Sequence, residues 1–229
     1  MRITLDTGTQ AEIARPADGV TPTRGLVMWP DIRGLRPLFD QHAQRVADAE
    51  GWAVVVPEMW PGHEYLSIDE RLERAGELRD ADKAADQLVA AELTECETVG
   101  VMGFCMGGMY AMKAAASGRF DAAVSFYGMI RVPEAWRSQH QADAIDSVAD
   151  PDACPVLALC GTEDPWLPAS ELDELSELAT VVRYAGADHA FAQDPDGAHY
   201  RPDDAADAWE RALAFLRSGG AQAGGGVSP

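Results

Sequence analysis

The feature that most constrains this chain is a glycine-flanked cysteine between an apolar segment and a helical one. The hexapeptide Gly103-Phe-Cys-Met-Gly-Gly follows the apolar run 98–102 and precedes a stretch of helical character. A residue on a sharp strand-to-helix turn needs glycines two positions to either side, because side chains there would collide with the strand and the helix. Such a turn presents the Cys105 thiol at a helix N-terminus, whose positive end favours a thiolate. The pattern predicts a nucleophile, with a glycine-rich turn around a buried thiol as the alternative.

Short apolar runs alternate with helical stretches along the chain, which is typical of an α/β fold with a mostly parallel central sheet. Runs that are apolar on both faces, such as 52–56 and 156–159, suit central strands with helices on both faces of the sheet. The predicted strands are 2–5, 12–15, 25–29, 53–56, 98–103, 122–127, 156–160 and 180–184, of which the first two form an antiparallel edge. The predicted helices are 37–49, 67–93 with a break near Gly76, 107–117, 170–178 and 203–217.

The length of 229 residues suits one domain. We predict a single domain over 1–217, followed by a Gly-rich tail, 218–229, that we expect to be flexible. No internal repeat and no second domain are evident.

The charge balance argues against several classes of partner. The chain carries 38 acidic and 18 basic residues, a net charge of −20, which would repel phosphate backbones and anionic membrane surfaces. No apolar run reaches the roughly 18 residues of a membrane helix, and the N-terminus lacks the apolar core of a secretory signal. The four cysteines lack the spacing of a metal site. We therefore expect a cytoplasmic protein with no nucleic-acid or membrane partner and no metal.

A nucleophile on this kind of turn is followed in the chain by an acid and then a histidine. His189 follows the predicted strand 180–184, where its loop would carry it back over Cys105, whereas His199 lies in a segment typical of ordinary surface. The acid should follow the strand 156–160, and Asp164 is the best placed to orient the imidazole. Other acids remain possible for this role: Glu163, Asp152 and Asp188.

With Cys105, Asp164 and His189 in this order, the chain resembles the dienelactone hydrolase (carboxymethylenebutenolidase) family of α/β-hydrolases. The resemblance covers most of the chain and includes G-x-C-x-G-G, G-x-x-D-x-x-x-P from Gly161 and G-x-x-H-x-F from Gly186. It implies an α/β-hydrolase fold, hydrolysis of a small ester or lactone, and no cofactor.

The resemblance also implies a role for the segment that follows the strand 25–29. Asp31 stands where the family has a glutamate that regulates the thiol, although a turn residue that caps the next helix is an equal alternative. The oxyanion hole would consist of the backbone N–H groups of Ile32 and Met106, one from this early loop and one directly after the nucleophile.

Substrate recognition departs from the family pattern at one position. The family holds the carboxylate of dienelactone with arginines, one of them shortly after the catalytic histidine, where this chain has Gln193. Loss of that charge-assisted contact makes a less charged ester or lactone at least as good a candidate substrate. Other arginines are possible replacements: Arg33, Arg71, Arg74 and Arg201. Trp60, Tyr65 and Trp136, on loops after strands, are candidates for an apolar pocket, with plain packing as the alternative.

The sequence therefore predicts a cysteine-dependent hydrolase of a small ester or lactone that acts through a Cys-His-Asp triad and a thioester intermediate. Two alternatives stay open: an acyltransferase or thioesterase on the same triad, and a hydrolase-like scaffold that binds without turnover. The sequence does not indicate an oligomeric state.

Overall fold

The structure, a computed structural model, describes residues 1–221. Its central feature is one sheet of eight strands in the order β1-β2-β4-β3-β5-β6-β7-β8. The strands are β1 (Arg2–Thr4), β2 (Gln10–Ala14), β3 (Gly25–Trp29), β4 (Ala53–Pro57), β5 (Val99–Phe104), β6 (Ala123–Phe126), β7 (Val156–Gly161) and β8 (Thr180–Tyr184). β1 pairs with β2 and β2 with β4 in antiparallel fashion, and all other pairs are parallel.

Every residue of the five central strands, β3 to β7, is buried. A strand buried throughout must be covered on both faces, since its side chains alternate between them. The helices are α1 (Pro37–Glu50), α2 (Ile68–Arg74), α3 (Asp80–Leu93), α4 (Met106–Lys113), α5 (Ala144–Val148), α6 (Ala169–Ser176) and α7 (Pro202–Arg217). Of these, α1, α3, α4, α6 and α7 pack against strands of the sheet. The predicted mostly parallel α/β sheet is confirmed.

Local sequence explains where several helices begin and end. α1 begins at Pro37, a residue suited to the first helical turn, and stops at Gly51 in the left-handed conformation. The helix predicted over 67–93 is interrupted, as expected near Gly76, by a 3₁₀ turn at Ala75–Glu77. α2 starts with a capping box between Ser67 and Glu70.

The segment between β6 and β7 is more ordered than the sequence indicated. It contains a 3₁₀ turn, Glu134–Trp136, and the short helix α5, neither of which was predicted. Both are shorter than the window over which helical periodicity can be recognised. Most of the predicted flexible tail, 218–229, lies outside the described residues, so the domain boundaries stay a prediction.

Candidate active site

Cys105 lies at the junction of β5 and α4, in a backbone conformation that few non-glycine residues adopt. Its φ is 56° and its ψ is −122°, outside the ordinary right-handed and extended regions. The turn is held on both sides, since the Cys105 N–H donates to the Phe126 carbonyl at 3.0 Å and its own carbonyl accepts from Met109 N–H at 3.1 Å. Hydrogen bonds on both sides thus hold the predicted nucleophile in this strained conformation.

The flanking glycines are required by close backbone contacts. A Cβ built on Gly103 would lie 2.1 Å from the Gly107 carbonyl oxygen, and one on Gly107 would lie 2.3 Å from the Pro30 carbonyl oxygen. Both distances are far inside van der Waals contact, and the atoms met are backbone. The first turn of α4 can approach β5 and the end of β3 this closely only when both positions are glycine.

His189 and Asp164 form a hydrogen-bonded pair on the loops that follow β8 and β7. His189 Nδ1 lies 2.7 Å from Asp164 Oδ2, and Trp166 N–H donates to Asp164 Oδ1 at 2.9 Å. The Asp164 carboxylate is buried, and the Tyr127 ring packs edge-on against the imidazole with 5.3 Å between ring centroids. The imidazole is therefore fixed in one orientation. His199, the alternative histidine, lies instead beside Asp188, with 3.1 Å between Nδ1 and Oδ2.

The charge environment of His189 favours its protonated form. Burial alone would lower the pKa of the imidazole, but negative charge on Cys105 and the hydrogen bond to Asp164 outweigh burial and raise it to about 10. The other ring nitrogen, Nε2, is buried, and a hydrogen bond between the ring and the Cys105 side chain adds to the raised pKa. Because Nδ1 is bonded to Asp164, Nε2 is the ring nitrogen available to Cys105.

Cys105 and His189 line one cavity of about 550 Å³. Its wall also includes residues from the loop after β3, from the start of α2 and from the segment after His189: Asp31, Ile32, Arg33, Arg36, Ile68, Ala190, Gln193, Asp194, Asp196, Gly197, Ala198 and His199. The guanidinium of Arg33 is exposed and forms no ion pair or hydrogen bond with the described residues. The size is sufficient for a small ester or lactone.

Asp31 lies in this cavity wall, but its carboxylate is already engaged. Arg36 donates to both of its oxygens, at 2.6 and 2.8 Å, and Gln193 Nε2 donates to Oδ2 at 2.5 Å. The Arg33 N–H adds a bond to Oδ1 at 2.9 Å. A hydrogen bond between Asp31 and Cys105 is not among the contacts of residues 1–221, so thiol regulation by Asp31 stays a prediction. Arg36 had no signal in the sequence beyond its place before Pro37.

Gln193 joins several elements behind the cavity. Its side-chain oxygen accepts from the Tyr127 hydroxyl at 3.1 Å while its amide nitrogen donates to Asp31. Its backbone carbonyl lies 2.8 Å from His42 Nε2. Tyr127, which follows β6 with a φ of 41°, was not singled out in the sequence because its contacts depend on residues far along the chain.

The aromatic candidates lie apart from this cavity. Trp60 is buried and its indole N–H donates to the Ile32 carbonyl at 2.8 Å. Trp136 is buried and stacks on Trp166, with 5.4 Å between centroids, while Tyr65 is largely exposed. None of the three lines the cavity with Cys105, so contact with a substrate stays a prediction for them.

Two kinds of feature are absent from residues 1–221. No helix in that range is long and apolar enough to cross a bilayer. No group of three or more His, Cys, Asp or Glu side chains there is placed to hold a metal ion.

A thiol on a strained strand-to-helix turn, with a histidine and an acid delivered by later strands of a mostly parallel sheet, defines an α/β-hydrolase. The chain belongs to the dienelactone hydrolase family, whose model matches residues 9–219. It is a hydrolase of the carboxylic ester and lactone type.

Individual relatives align with this chain along most of their length. A Bradyrhizobium sp. protein named "Probable 2-oxo-3-(5-oxofuran-2-ylidene)propanoate lactonase" is 30% identical, with 93% of this chain and 92% of the relative covered. The carboxymethylenebutenolidase of Pseudomonas putida is 28% identical, with 90% and 89% covered. The crystal structure of a "Putative Dienelactone Hydrolase" from Klebsiella pneumoniae superposes with a TM-score of 0.85 at 26% identity, covering 95% of this chain and 97% of that one.

Proposed function

We propose that the protein hydrolyses a small ester or lactone through the thiol of Cys105. The observation that carries the proposal is the 2.7 Å bond between His189 and Asp164, which orients an imidazole in the same cavity as the cysteine. The raised pKa of His189 supports an imidazolium beside the Cys105 sulfur. A thiolate is the nucleophilic form of cysteine.

In the first half of the reaction, the Cys105 sulfur attacks the acyl carbon, forming a C–S bond as the carbonyl π electrons move to oxygen. The N–H groups of Ile32 and Met106 are the proposed oxyanion donors. Neither N–H donates to another group among residues 1–221. When the tetrahedral species collapses, the C–O bond breaks and His189 Nε2 gives its proton to the leaving alkoxide, which leaves a thioester on Cys105.

In the second half, neutral His189 takes a proton from water as the water oxygen attacks the thioester carbonyl. Collapse of this second tetrahedral species breaks the C–S bond, releases the acid and returns the thiolate beside imidazolium. Asp164 keeps Nδ1 bonded throughout, so that Nε2 is the nitrogen that exchanges the proton.

The proposed substrate is a small ester or lactone, and the contacts at two positions of the cavity bear on whether it carries a carboxylate. The named relatives are a propanoate lactonase and carboxymethylenebutenolidases. At position 193 this chain offers an amide already bonded to Asp31 and Tyr127, rather than a free cation. Among residues 1–221, Arg33 offers at this cavity an unpaired guanidinium that is available to an acidic substrate.

The test is hydrolysis of short p-nitrophenyl esters and small lactones, with and without a carboxylate, by the wild type and Cys105→Ala. We expect turnover by the wild type and a loss of at least 1000-fold in the variant. Cys96→Ala is the matched control, because Cys96 is a half-buried thiol that does not line the cavity. Equal turnover by Cys105→Ala would contradict the thiol mechanism.

The same assay separates the two alternatives. An acyltransferase would consume ester faster when an alcohol or thiol acceptor is added, and would form the transfer product in place of the acid. A binding scaffold would turn over no member of the panel, and its Cys105 would react with iodoacetamide no faster than a free thiol.

A further inference from the structure

The loop that follows β3 carries one of the proposed oxyanion donors, and the protein holds this loop from two sides. We define residues 31–35 as the oxyanion loop. On one side, the Asp31 carboxylate is bonded to Arg36 and Gln193. On the other side, the loop is bonded to groups from the segment that follows β4.

Three contacts make up the second side. The Trp60 indole N–H and the Arg71 guanidinium both donate to the Ile32 carbonyl, at 2.8 and 3.1 Å. The buried Glu58 carboxylate accepts from Leu35 N–H at 2.8 Å with one oxygen and from Trp60 N–H at 2.8 Å with the other. Glu58 therefore connects Trp60 directly to the end of the loop.

These contacts fix the direction of the Ile32 N–H. A peptide unit is planar, so the backbone around Ile32 has only two soft dihedral angles. The Asp31 side chain anchors the chain before the amide, and the two donors on the Ile32 carbonyl anchor it after the amide. An oxyanion donor contributes to the rate only when it is already aimed at the developing charge.

We propose that Trp60 is a positioning residue for the oxyanion hole, acting through its indole N–H on the Ile32 carbonyl. The proposal rests on the proposed function, in which Ile32 N–H binds the oxyanion. It assigns Trp60 a task other than contact with the substrate, in accordance with its burial and its place outside the Cys105 cavity.

Trp60→Phe tests this role, because phenylalanine retains much of the aromatic packing and removes the donor. We expect kcat to fall about 10- to 100-fold with KM changed less than about threefold, since a misaimed donor weakens transition-state stabilisation selectively. Trp209→Phe is the matched control. It removes a similar buried indole bond, to the Ala192 carbonyl at 3.0 Å, that does not touch the oxyanion loop, and kcat should stay within about twofold.

Two thiol probes separate a positioning role from general disorder. Iodoacetamide alkylates Cys105 without forming an oxyanion, whereas a trifluoromethyl ketone adds to the thiol and forms one. Trp60→Phe should keep the wild-type alkylation rate and lose affinity for the ketone by about the same factor as kcat. Unchanged kcat, or an alkylation rate that falls in parallel with kcat, would overturn the proposal.

Arg71→Met removes the other donor to the Ile32 carbonyl and gives a second route if Trp60→Phe does not fold. The same pattern of lower kcat, weaker ketone binding and unchanged alkylation is expected, and its absence would count against the proposal. Failure of the proposed function has a different signature: Cys105→Ala would then match the wild type in turnover, whatever the Trp60 variant does.

Discussion

At the scale of single residues, the site depends on the charge pairing of His189. Its raised pKa reflects interaction with negative charge on Cys105 and with Asp164, against the opposing effect of burial. A pKa raised on folding means that the proton stabilises the folded state. That contribution is fully present below the ordinary histidine pKa of about 6.5 and is lost as the pH rises through about 10.

Removal of the Cys105 sulfur should lower the pKa of His189. In Cys105→Ala the imidazolium still has its hydrogen bond to Asp164, but it loses the negative charge that contributes most to raising its pKa. Burial continues to lower the pKa. The ring resonances of His189, followed by NMR as a function of pH, should titrate near 10 in the wild type and clearly lower in the variant. Identical midpoints in the two proteins would show that the cysteine does not contribute.

The other cysteines offer an internal comparison. Burial raises the pKa of Cys160 to about 12 and that of Cys154 to about 11, so neither competes as a thiolate near neutral pH.

At the scale of secondary-structure elements, the first turn of α4 is pressed against the ends of two strands. Gly107 abuts the carbonyls of Trp29 and Pro30, and Gly103 abuts the carbonyl of Gly107. The nucleophile turn is therefore in direct backbone contact with the end of β3 and with Pro30, the residue that precedes the oxyanion loop.

Gly107→Ala should reduce the free energy of unfolding by about 3 kcal/mol or more, because the added methyl overlaps backbone atoms that cannot move aside. The control is Gly62→Ala, where φ is 76° and a Cβ would meet nothing within 4 Å. That variant measures only the cost of the left-handed backbone, about 1 kcal/mol. Urea unfolding of both variants gives the comparison, and equal losses would refute the role assigned to the contact.

Sequence patterns were sufficient to predict the strands that surround this contact. All eight predicted strands are present, because apolar runs of strand length bounded by turn residues are a local signal. Cys105, Asp164 and His189 could be proposed from motif order alone. The roles of Arg36, Tyr127 and Trp60 could not be proposed in this way, because each acts through a hydrogen bond whose partner is set by tertiary packing. The bond between Gln193 and Asp31 spans 162 positions.

At the scale of the whole molecule, the net charge of −20 dominates. Excess charge of one sign repels itself and destabilises the compact state. Many acidic side chains form ion pairs, as in the bidentate contact of Arg217 with Glu50. The chain nevertheless has 20 more negative than positive charges. Cytoplasmic location and the lack of nucleic-acid partners stay predictions.

Added salt should therefore stabilise the protein. Between 10 mM and 500 mM sodium chloride the Debye length falls from about 30 Å to about 4 Å, which screens the net repulsion. We expect a rise in Tm of a few degrees, measured by thermal unfolding, with an uncharged solute of equal osmolality as the control. A fall in Tm would mean that the surface ion pairs outweigh the excess charge.

The strained backbone at Cys105 has a consequence for how such a chain can diverge. The tight contacts around it belong to Gly103 and Gly107, whereas the cysteine side chain itself projects from the turn into an open cavity. The fold therefore fixes where the reactive atom lies, but it does not fix whether that atom is sulfur or oxygen. We expect Cys105→Ser, a single-codon change, to cost the architecture little, whereas Gly103 and Gly107 leave no room for a side chain. We therefore expect the reactive atom of this site to tolerate substitution more readily than the turn that presents it.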